Sequence, residues 1–464
     1  LEAANHLRRR LPEGLHDRVT TALFSEAERI AARAVRRDGQ RKKWQFDQAL
    51  DRVLTSPVWG VPVMVLLFTL VFWLTIAGAN VPSSLLGTLL TEHGYRWLHQ
   101  LADAVHAPLW LSGVLIDGAY LAMAWVVSVM LPPMAIFFPL FTLLEDYGYL
   151  PRVAFNLDRA FQSAGAHGKQ ALTMMMGYGC NAAGVVSTRI IDSPRERLIA
   201  ILTNNFSICN GRWPTLILMG TIFIGATAPP QLAGLVATLS VVGVALLGIV
   251  FALLVSKFLS KTWLKGEASR YVLELPPYRP PRLLQTLYTS IIDRTLIVLW
   301  RAVVMAAPAG VVIWLISNLH IGGQSVASWL VSGLDPVGVA IGLNGVILLA
   351  YIVAIPANEI IIPTILMLTL NLARSGLAQP GVMLELDDPV AKNVLVNLGG
   401  WTLLTGVNLM LFSLLHNPCS TTLLTIYHET RSWKWTAVAA LLPIALGFLV
   451  CFVVATAFRL FGWT

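Results

Sequence analysis

Charge is what this chain has least of. Asp, Glu, Lys and Arg make up 12% of its 464 residues, while 56% are hydrophobic. Soluble domains carry about 25% charged residues, so a soluble globular fold is excluded. Cysteine is scarce too. The four thiols, Cys180, Cys209, Cys419 and Cys451, show no CxxC spacing and lie in apolar surroundings. That excludes a disulfide framework and a structural zinc site. GxSxG and HExxH are both missing, which removes the common hydrolytic signatures. Gly168-Lys169 is followed by Gln170, where a phosphate-binding loop requires Ser or Thr, so no GTP site is expected in this chain. No enzyme is read from these residues. The net charge of +8 comes with no nucleic-acid-binding motif, and nucleic acid is not an expected partner.

What the chain has is apolar length. Several runs reach the roughly 20 residues that span a bilayer. The expected fold class is all-α: a polytopic transmembrane helical protein with two internal repeats and discontinuous helices, its surface in contact with membrane lipid. Basic residues cluster before residue 53 and between 257 and 301, which marks cytoplasmic segments under the positive-inside rule. The chain opens on Leu1, and a charged stretch precedes the first apolar run. No signal peptide is expected, and the chain reads as a piece of something longer.

Four regions follow. Residues 1–52 form a basic cytoplasmic helical segment, with a surface helix over 20–37. Residues 53–258 form a first repeat, 259–292 a cytoplasmic connector, and 293–464 a second repeat. The first clear span covers 58–77. Residues 80–108, which hold His93, His99 and His106, read as an interfacial helix or an external loop. Residues 108–144 are either one kinked helix or two segments parted at Pro132-Pro133, and 337–355 read as one span. Two correspondences carry the repeat. Asp51-Arg52 before the first span matches Asp293-Arg294 before a later one, and Cys180 and Cys419 sit in similar surroundings at a similar separation.

The candidate chemistry lies at interruptions of apolar runs. In Gly177-Tyr178-Gly179-Cys180-Asn181 the glycines are expected to break a helix and free backbone carbonyls. A thiolate there is a soft ligand, and Asn181 adds a neutral carbonyl oxygen. A small thiol packed in a glycine turn explains the same residues. In His416-Asn417-Pro418-Cys419-Ser420, Pro418 removes a backbone donor and Ser420 can line a wet path. A polar island from Thr203 to Pro214 holds Asn204, Asn205, Cys209, Asn210 and Arg212, and reads as a kink lining a cavity. Glu359 is a lone carboxylate in an apolar run. It can attract a cation, shuttle a proton, or pair with Arg212 or Arg301.

Read together, these motifs resemble the membrane region of bacterial ferrous iron transport protein B. The resemblance rests on Leu143-Leu144-Glu145-Asp146-Tyr147-Gly148-Tyr149, the two cysteine motifs, Cys209-Asn210-Gly211-Arg212-Trp213-Pro214, Glu274-Leu275-Pro276-Pro277-Tyr278, Pro356-Ala357-Asn358-Glu359 and Glu429-Thr430-Arg431-Ser432-Trp433. It implies two gate repeats in the bacterial inner membrane, Fe(II) as the transported ion, and Cys180 and Cys419 on its path. The candidate metal set is Cys180, Asn181, Cys209, Glu359 and Cys419. The candidate gate set is Gly177, Gly179, Asn204, Asn205, Asn210, Pro418 and Ser420. The resemblance also implies a GTPase, supplied in cis or trans, with residues 1–52 as the end of a spacer. A homo-oligomer fits it as well. Ala182-Ala183-Gly184 departs from the family's Val-Pro-Ala, and the pattern around Arg212 and Glu359 leaves Mn(II) open beside Fe(II). A nucleoside-like solute and a non-transporting regulatory subunit are the alternatives.

Overall fold

The computed structural model describes residues 15–34, 41–56, 58–166, 168–229, 231–265, 278, 282–373 and 388–462. Two polar helices come first, α1 (Leu15–Ala34) and α2 (Arg41–Leu54). The expected surface helix is therefore present. Arg8-Arg9-Arg10 and Glu274 to Pro277 lie outside the described residues.

Among the described residues, six helical runs are long and apolar enough to cross a membrane. The first is α3 (Gly60–Gly87), which continues through a π-helical turn, Thr88–Gly94, into α4 (Tyr95–Ala104). Residues 80–104 are thus one continued helix rather than a loop. The second run, Leu109–Tyr147, contains a π-helical turn, Gly113–Tyr120, and then α5 (Leu121–Tyr147). Pro132, Pro133 and Pro139 all lie inside α5 without ending it. Prolines survive in membrane helices where neighbours and hydroxyl side chains re-satisfy the backbone. Here α3 and α13 pack along α5 and hold it helical across the prolines. Gly148, at φ 88°, stops the helix in the left-handed conformation that suits glycine.

The chain then runs through α6 (Tyr149–Ser163), α7 (Lys169–Gly179), α8 (Asn181–Ser187), α9 (Pro194–Thr203), α10 (Trp213–Met219) and the long α11 (Ala233–Lys261). Ser193 caps α9 by accepting from the Glu196 amide, with Pro194 in the first helical turn. After the connector come α12 (Leu283–Thr289), α13 (Ile297–Asn318), α14 (Val326–Ala340), α15 (Gly345–Val353), α16 (Ile361–Leu372), α17 (Leu403–Leu415), α18 (Ser420–Thr430) and α19 (Trp433–Leu460). The stretch expected as one span over 337–355 is two helices meeting at 110°. Asn344 caps the second of them by accepting from the Ile347 amide, so the polar cap fixes the corner.

Element order gives the repeat its register. The series α5, α6, α7–α8, α9–α10, α11 is matched by α13, α14, α15–α16, α17–α18, α19. Backbone angles agree with it. Cys180, between α7 and α8, has φ −151° and ψ 122°, and Ala357, before α16, has φ −151° and ψ 116°. Cys209 has φ −75° and ψ 166°, and Cys419 has φ −62° and ψ 160°. By backbone and order, Cys180 pairs with Ala357, and Cys209 with Cys419. The pairings of Cys180 with Cys419 and of Asp51 with Asp293 expected from sequence are both corrected: Asp293 precedes α13, the counterpart of α5, whereas Asp51 precedes α3, which has no counterpart in this order. Small residues and a thiol recur wherever a helix stops, and that likeness is chemical rather than positional.

Candidate metal path

Each repeat contributes two breaks. The first is a re-entrant pair. Lys169 Nζ, at the start of α7, reaches the Ile190 carbonyl (2.8 Å) and Asp192 (3.0 Å), just beyond α8. The bases of α7 and α8 therefore close on each other, and Cys180 lies at their junction. The glycines expected to break this helix do not. Gly177 and Gly179 are within α7, and the interruption is Cys180 itself. Gly179 is needed for close approach instead: a Cβ there would lie 2.0 Å from the Phe137 ring.

The second breaks are interrupted helices. Between α9 and α10 the chain passes through short 3-10 turns at Asn204–Phe206 and Asn210–Arg212. Between α17 and α18 it is unwound over residues 416–419, Pro418 included. Asn204, Asn205 and Cys209 are buried, and Asn210 is half-buried beside a cavity of about 10 Å³, lined also by Phe137, Gly179 and Trp213. That is about the space one water needs.

The breaks are exchanged between repeats. α8 packs on α18, so the helices that start after Cys180 and at Cys419 run together. The turn at Asn210–Arg212 packs on the turn at Asn358–Ile360. There Asn358 Nδ2 is 3.9 Å from Cys209 Sγ. Glu359 is half-buried and packs on Gly211, where an added Cβ would lie 2.2 Å from its Oε1. Two pairs of breaks are thus brought together: the one that carries Cys180 with the one that carries Cys419, and the turn after Cys209 with Asn358 and Glu359. Among the described residues, no three His, Cys, Asp or Glu side chains converge tightly enough to hold a metal ion. The arrangement offers ligands in pairs rather than a closed cage.

The remaining candidates have structural partners. In its satisfied orientation the Asn181 amide donates to the Gly177 and Ser207 carbonyls, each at 3.1 Å. Asn204 Nδ2 donates to the Asn181 carbonyl at 3.0 Å, and Asn205 Nδ2 to the His416 carbonyl at 2.8 Å. Ser420 ties α18 to the first break of its own repeat, its amide donating to the Ile355 carbonyl (2.9 Å) and its hydroxyl to that of Pro356 (3.2 Å). Cys419 Sγ lies 3.3 Å from the Thr422 hydroxyl. The His416 ring nitrogens face the Ser413 carbonyl (3.0 Å) and Asn358 Oδ1 (3.2 Å), and the neutral ring donates to one of them, so it is an interior histidine with protein partners. Met174, Met175 and Met176 are buried in the core. Cys451 stands apart on α19, bonded to the Asn408 carbonyl.

Glu359 forms no ion pair with Arg212 or Arg301 within 4.0 Å, and Arg301 is exposed. Asn358 is the residue that sequence reasoning missed. It follows Ala357 as Asn181 follows Cys180, which was the available signal.

Two ion-pair nodes lie toward the basic end of the helices. Glu429, at the end of α18, is gripped by Arg189 (2.6 Å) and by Arg197. It ties the far end of the Cys419 helix to the far end of the Cys180 helix. Asp51 of α2 accepts from Arg152 Nε (2.9 Å) and from the Tyr278 hydroxyl (2.6 Å), while the Arg152 guanidinium stacks over the Tyr278 ring at 4.1 Å. Burial and Asp51 push the Tyr278 pKa up, so its hydroxyl keeps its proton and remains a donor.

Fold and site together define a multi-pass membrane protein of gate type. Residues 127–223 and 299–433 match the family described as "Gate: Nucleoside recognition", and residues 241–293 match "Ferrous iron transport protein B C terminus". A Staphylococcus aureus protein named "Fe(2+) transporter FeoB" is 29% identical over 426 residues, covering 89% of this chain and 59% of the relative. Its namesake from Campylobacter jejuni is 25% identical over 428 residues, covering 89% and 66%. One from Salmonella typhimurium is 31% identical over 242 residues, covering 52% and 30%. No solved structure matches. The chain belongs to the ferrous iron transport protein B family and corresponds to its C-terminal, membrane part. It spans 59% of the length of the Staphylococcus relative.

Proposed function

We propose that this chain carries ferrous iron across the bacterial cytoplasmic membrane, along a path lined by the exchanged breaks of its two repeats. One observation carries the reading: Cys180, Cys209, Cys419 and Glu359 come from four separate breaks, and the helices and turns that carry them pack across the two repeats. Relatives named Fe(2+) transporter support the choice of ion. A transported ion must bind and also leave. Paired ligands of mixed softness suit that better than a closed cage. Cys180 and Cys419 offer two thiols, and Cys209 with Glu359 a thiol and a carboxylate. Asn358 orients the Cys209 thiol.

The positive-inside rule places the basic connector, and with it the Glu429 and Asp51 nodes, at the cytoplasmic end. In this reading the grip of Arg189 and Arg197 on Glu429 closes the inner mouth below Cys180 and Cys419. The Asp51 node joins the polar segment at 1–52 to the corner that leads into α6 and α7, and is the place where a GTPase, in cis or trans, would act on the path. Residues 53–258 and 293–464 remain the proposed extents of the two halves.

The family description leaves room for a nucleoside-like solute, but the Asn204 and Asn205 amide nitrogens already donate within the protein, which favours an ion. The test is metal flux into liposomes holding the purified chain, kept anaerobic, with Fe(II), Mn(II), Zn(II) and Co(II) in parallel. Thiol-dependent Fe(II) entry supports the reading. Entry of none of the four, with and without a GTPase partner, overturns it.

A further inference from the structure

Arg212 is a fully buried cation with an unusual set of partners. Its side chain is 0% exposed. Among the described residues it forms no ion pair with a carboxylate. It is held by neutral oxygens instead. One terminal nitrogen donates to the Asn205 carbonyl (3.0 Å) and the Leu414 carbonyl (3.1 Å). The other donates to Asn205 Oδ1 (2.9 Å) and to the His416 and Asn417 carbonyls (each 3.2 Å).

The origin of those oxygens matters. Leu414 is in the last turn of α17, and His416 and Asn417 are in the break that follows. Carbonyls at a helix C-terminus have no intrahelical partner and carry the negative end of the helix dipole. Asn205 contributes its oxygens from the matching break of the other repeat. Unwound carbonyls and half-helix C-terminal ends are the donors that bind coupling cations in transporters with discontinuous helices. Rings of neutral carbonyls also replace the hydration shell of an alkali ion. A buried charge is stable only when such groups surround it. The guanidinium here holds five oxygens that, left vacant, would make a hard-cation site.

We propose that Arg212 is a tethered substitute for a coupling cation: it fills a carbonyl cage built for an alkali ion, so that the protein needs neither sodium nor potassium. It is a positioning residue, holding the α17–α18 break against the α9–α10 break. The cage is independent of which solute moves. The statement about flux rests on the transporter reading above.

The test uses the full chain in detergent or nanodiscs. Melting midpoints are recorded in choline chloride, then across sodium and potassium titrations at constant ionic strength, for the wild type, Arg212→Ala and Arg212→Lys. The wild-type midpoint is expected to stay fixed. Arg212→Ala should melt lower and recover by several degrees, saturably, in sodium or potassium but not in choline. Arg212→Lys, whose ammonium reaches fewer of the oxygens, should lie between the two and recover less.

Saturable stabilisation of the wild type by either cation overturns the proposal. So does an Arg212→Ala protein that no alkali cation rescues. If Arg212→Ala cannot be recovered folded, an Arg212→Lys protein with no alkali response overturns it as well. Wild-type Fe(II) flux should be equal in sodium, potassium and choline buffers. Flux absent from all three counts against the transporter reading and leaves the cage to be decided by the melting data.

Discussion

The two halves of this molecule make the same breaks and furnish them differently. The first break of one half carries Cys180, while its counterpart carries Ala357, with Asn358 and Glu359 directly after it. The second breaks both carry cysteine, Cys209 and Cys419. Because the breaks are exchanged, each half-site takes one residue from each repeat. One has two thiols, and the other a thiol and a carboxylate. Backbone geometry is therefore the shared part of the design, and ligand softness is the part that differs. An ion that meets both must tolerate sulfur and oxygen, as borderline divalent ions do.

The largest effect is expected where softness is removed from the thiol pair. Cys180→Ser with Cys419→Ser should lower Fe(II) flux by about 100-fold, by analogy with the cost of disturbing metal-site partners. Melting should stay within about 0.5 kcal/mol of wild type, since each change is close to isosteric. Next, the two half-sites should separate by ion. Glu359→Gln should reduce Mn(II) entry more than Zn(II) entry, and Cys180→Ser the reverse, each by about tenfold. Competition flux with both ions present measures this, and equal losses would erase the distinction between the half-sites.

Gly211→Ala sharpens the comparison sterically. Its Cβ would sit 2.2 Å from Glu359 Oε1, so the carboxylate must move. A cost of about 1–3 kcal/mol in denaturant unfolding is expected, with Mn(II) entry falling and the modification rate of Cys180 unchanged. Glu429→Gln weakens the inner grip. Cys180 should then react several-fold faster with an impermeant thiol reagent on the cytoplasmic side. Arg189 is 65% exposed, so the effect should shrink in high salt. Tyr278→Phe removes one hydrogen bond to Asp51 and should cost about 1 kcal/mol.

The sequence showed the class of fold because apolar length and charge placement are one-dimensional signals. It also marked the points where helices stop, since Cys180, Cys209, Glu359 and Cys419 are all polar or reactive groups inside apolar runs. Three things were hidden. Pro132 and Pro133 argue for a break only if no neighbour repairs the backbone, and α3 and α13 are far away in sequence. Glycine can break a helix or admit a ring, and only Phe137 against Gly179 decides which. Arg212 looks like half of a salt bridge until the carbonyls of α17 are seen around it, because a broken helix offers acceptors that no residue letter reveals. The repeat register was misread for a related reason: Cys180 and Cys419 share a chemical setting while occupying different breaks.

The most direct test of the central claim is anaerobic Fe(II) flux into liposomes, comparing wild type with a Cys180→Ser/Cys209→Ser/Cys419→Ser protein whose folding is confirmed by melting. The three thiols are predicted to be required together: flux should fall to the level of empty liposomes, with the melting midpoint unchanged. Wild-type flux from the folded thiol-free protein would contradict a metal path through these breaks.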